Sequence, residues 1–247
     1  MKQFSVTTSM GKRLIGKAMA VHPAIQAVLE QGTLVIIAGT TNSYVAQELL
    51  EATGQAEGFS PKDFRRGVVA APGTAVPPAE FSGDVVLSKG VWQKGRTIFD
   101  TLDDLKPGDV VLKGANAFDS RGQAAVQIGS PVGGTILAAM TAVIGRRVQL
   151  IVPVGLEKRV FEDVNILAAR CNAPRAEGPR LCLMPGSVFT ELDALKLLTG
   201  ADACLLAAGG VCGAEGAAWL GITGSEEQMR AAADLIESIA GEPPYEL

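Results

Sequence analysis

The chain has 247 residues, 47% of them apolar and 19% charged, a balance that excludes a disordered chain and fits one large packed domain, alone or with a small appendage. Its net charge of −4, with no run of lysine or arginine longer than two, lacks the basic footprint a nucleic-acid binder needs to neutralise phosphates. The longest apolar runs are of strand length, short of the roughly 18 residues of a membrane span, and no signal-peptide pattern opens the sequence.

Leu14, Ile15, Ala18, Met19 and Val21 recur at helical spacing over Met10 to Val21, with Lys12, Arg13 and Lys17 on the other face. His22-Pro23 breaks this helix, and Pro23 suits the first position of a second one through Leu29. Thr33 to Ala38 is a continuous apolar run, the pattern of a central parallel strand covered on both faces. A helix is predicted from Asn42 to Thr53, then a loop to Arg66 and a short strand from Gly67 to Ala71. Residues 72 to 107 read as an elaboration, with a strand at Asp84 to Ser88 and a hairpin near Gly90 and Gly95. Asp109 to Lys113, Gln123 to Ile128 and Val148 to Pro153 are further strands, with a small-residue helix from Pro131 to Ile144 between the last two. This alternation predicts an α/β fold with a parallel-sheet, three-layer core.

The pattern changes after the polar stretch Asn172 to Arg180, which is read as a boundary. Strands at Leu181 to Met184, Asp202 to Ala207 and Gly216 to Ile222 alternate with helices at Thr190 to Leu198 and Ser225 to Ile239. Thr190 with Asp193, and Ser225 with Gln228, have capping-box spacing. The order predicts a small α+β (β-α-β-β-α) C-terminal subdomain over 181–247, beside a core over 1–171. The spacing of Cys171, Cys182, Cys204 and Cys212 fits no zinc pattern, and three of them sit in apolar contexts that suggest buried reduced thiols and hence a cytoplasmic location. No metal or other cofactor is expected.

Several turns can carry chemistry. Gly39-Thr40-Thr41-Asn42-Ser43 joins a buried strand to a helix start, where free N–H groups, the helix dipole and two hydroxyls suit a phosphate; a plain helix cap is the alternative. Lys113-Gly114-Ala115-Asn116 ends a strand at the edge where ligands collect in open parallel sheets. Asp119, a little further on, either moves a proton or closes an Asx turn ahead of Gly122. Gly129-Ser130, with Gly133 and Gly134, offers either a second polar contact or a tightly packed helix start. Lys158 either reaches a phosphate or is a solvated surface lysine. The glycine-rich loop Ala208 to Gly216 reads as a turn between two strands, with Glu215 a weak site candidate.

Residues 11 to 50 resemble the start of the ligand-binding domain of DeoR-type sugar-phosphate regulators: a basic helix, a strand, Gly-Thr-Thr and a helix. Asp109 to Gly134 is similar to a motif of ribose-5-phosphate isomerases and of methylthioribose-phosphate isomerase and initiation-factor-2B relatives, here Gly114-Ala115-Asn116, Asp119 and Gly129-Ser130. These families share the NagB/RpiA/CoA-transferase-like superfamily, and the C-terminal element order resembles the small extra domain of ribose-5-phosphate isomerase. The resemblance implies a phosphosugar-like ligand with its phosphate at Thr40 and Thr41, and a homo-oligomer whose interface is sought in 72–107.

The isomerases carry an aspartate where this chain has Asn116, and an amide is no general base. Only about ten residues precede the first predicted helix, so a regulator's helix-turn-helix is not expected. Three readings stay open. One is an isomerase in which Asp119 moves a proton and Asn116 or Lys158 polarises a carbonyl. The second is a non-catalytic metabolite sensor, and the third an acyl or coenzyme A transferase variant, for which neither Glu191 nor Glu215 is well placed in sequence.

Overall fold

The computed structural model describes residues 1–67, 69–79 and 83–246. In chain order the elements begin with β1 (Lys2–Val6), α1 (Thr8–Val21), α2 (Pro23–Gln31), β2 (Thr33–Ile36), α3 (Thr40–Ala52), β3 (Val85–Ser88), β4 (Val91–Trp92) and α4 (Ile98–Thr101). They continue with β5 (Val110–Leu112), β6 (Ala117–Phe118), β7 (Ala124–Ile128), α5 (Gly134–Met140), β8 (Gln149–Pro153) and α6 (Val164–Cys171). Last come β9 (Arg180–Met184), β10 (Ser187–Phe189), α7 (Glu191–Thr199), β11 (Asp202–Ala208), β12 (Ala218–Thr223) and α8 (Glu226–Ser238). The fold is mixed α/β. Among the described residues no helix is long and apolar enough to cross a membrane.

The main sheet has the order β10-β8-β5-β2-β3-β4. The first four strands are parallel, and β3 and β4 add an antiparallel hairpin at the β2 edge. Leu34, Val35 and Ile36 are fully buried, as the continuous apolar run requires of a strand covered on both faces. The hairpin turns through Lys89 and Gly90, both at positive φ (46° and 75°), the geometry a two-residue hairpin loop demands. The segment 72–107 therefore extends the core sheet as well as decorating it.

The other strands correct the sequence reading. Gln123 to Ile128 is not in the parallel sheet: β7 pairs antiparallel with β6 and β9. Leu181 to Met184 lies in that same sheet, and β10 joins the main one. The antiparallel C-terminal sheet has the order β1-β12-β11, so its first strand comes from the opposite end of the chain. Hydrogen-bonded strand pairs thus cross the stretch Asn172 to Arg180 in all three sheets. Of the strand predicted over 67–71, Val68 lies outside the described residues, and the other four positions are in no strand.

Helix α1 is buried over most of its surface. Gly16 allows α3 to pass close: a Cβ there would lie 2.9 Å from the Tyr44 carbonyl oxygen. On another side Gly11 faces Glu191 at the start of α7, whose carboxyl group an added Cβ would meet. Lys12 is consequently only 8% exposed, and Arg13 is bound by Glu242, Glu48 and Gln47, so the basic face is not the solvated face that helical spacing suggests. The cysteines also differ from expectation. All four are unpaired; Cys171, Cys204 and Cys212 are exposed and Cys182 is half-buried. An edge strand such as β11 wets one face, so an apolar neighbourhood in sequence does not bury the thiol, and burial gives no support to a reducing compartment.

Candidate functional site

The carboxyl ends of β2, β5 and β8 open on one side of the sheet into a cleft of about 860 Å³. This is where an open parallel sheet gathers ligands, because the connections leave it there in divergent directions. From β2 come Ala38 to Asn42, from β5 Lys113 to Asn116, and from the turn after β8 Lys158. The opposite wall is Val126 to Ser130 with the start of α5. Gly67, Val69 and Ala70 close a third side, beside Arg66. Phe99, 56% exposed, stands at the rim.

At the floor, α3 begins with no side-chain cap on Gly39. The first three N–H groups of a helix have no intrahelical acceptor, and the dipole places partial positive charge there. A Cβ built on Gly39 would meet nothing within 4 Å, so the backbone is open to the cleft. Asn42 is fully buried and donates Nδ2 to the Ile37 (2.8 Å) and Leu112 (3.1 Å) carbonyls, clipping the ends of β2 and β5 together. Its Oδ1 and the hydroxyl of Thr41, itself 2% exposed, have no partner. Unpaired buried polar atoms cost about 1–3 kcal/mol each, so two side by side in a cleft wall mark capacity for a ligand.

Four cations face this cleft: Lys12, Arg66, Lys113 and Lys158. No Asp, Glu, His or Cys is among its described lining residues. Burial pushes the Lys113 amine down to about 8; Asp84 opposes the shift, and Arg66 and Lys158 add to it. Lys158 is lowered by burial, against the pull of Glu157 and Glu191. Lys12 is lowered by burial too, and its ammonium lies 5.8 Å from the Tyr245 ring centre. Asp84 does not neutralise the group simply. Its Oδ1 accepts from the Ala38 N–H (2.9 Å) and Arg66 (3.3 Å), and its Oδ2 from the Ile98 N–H (2.8 Å).

No family model matches the chain, and no curated protein or solved structure matches it. The site therefore rests on its own geometry.

Of the sequence candidates, Gly39, Thr40, Thr41, Asn42, Gly114, Asn116, Gly129, Ser130, Gly133, Gly134 and Lys158 all line the cleft. Asn116 Oδ1 accepts from the Gln127 N–H (3.0 Å), which leaves its Nδ2 as the group to offer a ligand. Ser130 Oγ accepts from the Val132 N–H, and Arg180 holds the Gly129 and Ser130 carbonyls. Gly133, at φ +78°, precedes α5, which starts later than Pro131 and ends in a π-helical turn over Thr141–Gly145. Ser43 is buried outside the lining and donates to the Thr40 carbonyl.

Asp119 is not brought to the cleft. It is 3% exposed, and its Oδ1 accepts from the N–H groups of Arg121 and Gln123 while Oδ2 accepts from that of Val164. It closes a turn, the alternative its position before Gly122 left open. Glu191 is buried behind Leu156, whose N–H it accepts, and burial with Glu157 nearby raises its carboxyl to about 8. Glu215 is exposed and binds only its own turn, through the Gly213 N–H. Among the described residues no group of three His, Cys, Asp or Glu that could hold a metal comes together.

Sequence reasoning assigned no site role to Lys12, Arg66, Lys113 or Tyr245, although Lys113 heads a turn it singled out. Lys113 had a signal: a single cation ends the apolar run Asp109 to Leu112 where a central strand meets the ligand edge.

Proposed function

We propose that the chain binds a small phosphorylated metabolite of the sugar-phosphate type, with the phosphate at the start of α3. The observation that carries this reading is the sign of the cleft: four cations and an uncapped helix N-terminus, with no carboxylate among the described lining residues. The unpaired Thr41 hydroxyl and the Asn116 amide add donors for phosphate and sugar oxygens. The finer architecture belongs to the same proposal: a three-layer NagB/RpiA/CoA-transferase-like core with a small C-terminal subdomain, supported by the four parallel strands. So does a homo-oligomer formed through 72–107.

An isomerase acting by proton transfer beside a carbonyl is the enzymatic form of this reading, and its acid-base group is then a lysine. That no carboxylate is among the described lining residues favours a second form, a metabolite sensor without turnover. An acyl or coenzyme A transferase finds no carboxylate nucleophile among those described residues either.

Thermal denaturation against sugar phosphates, nucleotides, coenzyme A esters and inorganic phosphate tests the reading. A ligand at about a hundred times its Kd stabilises the fold by about 2.7 kcal/mol. A sugar phosphate is expected to raise Tm more than the free sugar, and Thr40→Val with Thr41→Val to remove the gain. Stabilisation by coenzyme A esters alone, or by none of these ligands, overturns it.

A further inference from the structure

We infer that Lys113 is the reactive amine of the cleft and forms an imine with a carbonyl carbon of the bound anionic ligand. The inference rests on the reading of the cleft as a phosphometabolite site and adds the class of ligand, a phosphorylated aldehyde or ketone.

Hydroxyls line the cleft at Thr40, Thr41, Ser130, Thr135 and Tyr245, but a hydroxyl needs an adjacent base, and no carboxylate or imidazole is among the described lining residues. Three lysines remain, and an amine needs only to lose its proton. Lys12 and Lys158 each feel Glu157, which favours the ammonium form. Lys113 is placed differently. It follows β5, between the ends of β2 and β8, and its N–H still bonds the Ile151 carbonyl (3.2 Å), so a sheet ladder holds its backbone.

The charged groups that act on Lys113 are Asp84, Arg66 and Lys158. Asp84 is already engaged by two backbone N–H groups and Arg66, and the other two are cations. A lysine desolvated beside other cations is the arrangement that makes an amine nucleophilic near neutral pH. Burial accordingly lowers its pKa to about 8.

In the step, the Nζ lone pair attacks the carbonyl carbon and the C=O π pair moves to oxygen. A proton passes from nitrogen to that oxygen, giving a carbinolamine. Protonation of the hydroxyl and departure of water leave the imine, and water returns the amine and carbonyl. Nothing is oxidised or reduced. The protonated imine draws electrons from the neighbouring C–H bond, so an amine supplies an activation that no carboxylate or imidazole among the described lining residues offers.

The test uses the full chain with glyceraldehyde 3-phosphate and sodium cyanoborohydride at pH 7, followed by peptide mapping. Hydride from the reagent reduces an imine to a stable secondary amine. The expected adduct is on Lys113 in preference to the other nine lysines, by up to on the order of a hundredfold if labelling follows the free-amine fraction. Inorganic phosphate is expected to suppress it and Lys113→Arg to abolish it. An adduct spread over surface lysines, or centred on Lys12 or Lys158, overturns the inference. If the protein is stabilised by sugar phosphates yet Lys113 stays unlabelled, the imine fails and the binding reading stands. If there is neither stabilisation nor labelling, both fail.

Discussion

Two turns that each follow a strand differ in what their polar groups are left to do. The turn after β2 presents Thr41 and Asn42 with a buried hydroxyl and a buried carbonyl oxygen unpaired, above helix N–H groups that have no cap. The turn after β6 presents Asp119, equally buried, with three backbone N–H groups on its two oxygens. One turn spends its hydrogen-bonding capacity on the fold, and the other leaves part of it unspent. Glu191 lies between them: its own N–H and that of Leu156 donate to it, but burial with Glu157 nearby outweighs them and it holds its proton to higher pH.

Breaking the spent turn has the largest expected effect. Asp119→Ala removes the acceptor of three N–H groups, two of them belonging to a tight turn, and should cost about 2–4 kcal/mol in urea denaturation. The affinity of the folded protein for a sugar phosphate should stay the same. A loss of binding without loss of stability would return Asp119 to the site. Thr41→Val probes the unspent turn and should do the opposite. Stability should hold or rise, by up to about 1–3 kcal/mol, because valine removes a buried hydroxyl that has no partner. Calorimetry should show ribose 5-phosphate affinity falling about 10- to 150-fold, the worth of one hydrogen bond to a charged group.

Glu191→Gln sharpens the intermediate case through pH. The native carboxyl titrates at about 8 against an ordinary 4.5, so between these values the native state holds a proton that the unfolded chain has lost. Wild-type stability from this group therefore falls as pH rises through that window. The glutamine variant has no such loss, so its stability relative to wild type should climb from pH 4.5 to 8 and level off above. A difference that does not change with pH would contradict the buried, proton-holding carboxyl. Glu215→Gln should do least, within about 0.5 kcal/mol and with no change in ligand affinity, since that carboxylate serves an exposed loop.

The parts legible in the sequence are those fixed locally. The apolar runs at β2, β5 and β8 declare buried strands, and the capping boxes of Thr190 with Asp193 and Ser225 with Gln228 form as their spacing requires. The turns after β2 and β5 were legible as site material because strand ends and helix starts carry free backbone groups. Non-local pairing was not legible. Lys2 to Val6 is short and mixed in polarity, and becomes a strand because β12 supplies a partner from far along the chain. Lys12 sits on a helix face that spacing assigns to solvent, yet α7 and Tyr245 cover it. Asp119 was ambiguous in principle, since an Asx turn and a general base use the same side chain, and only the direction of its oxygens separates them.

The central claim is that an anion sits at the start of α3 within reach of the cationic wall. Amide-resolved NMR of the full chain, titrated with ribose 5-phosphate and separately with ribose, tests this most directly. The account expects saturable shifts at Thr40, Thr41 and the amides of Lys113 to Asn116 with the phosphate, far weaker ones with the free sugar, and none at Asp119 to Gly122. Shifts confined to surface arginines and lysines elsewhere, or equal responses to ribose and its phosphate, would contradict it.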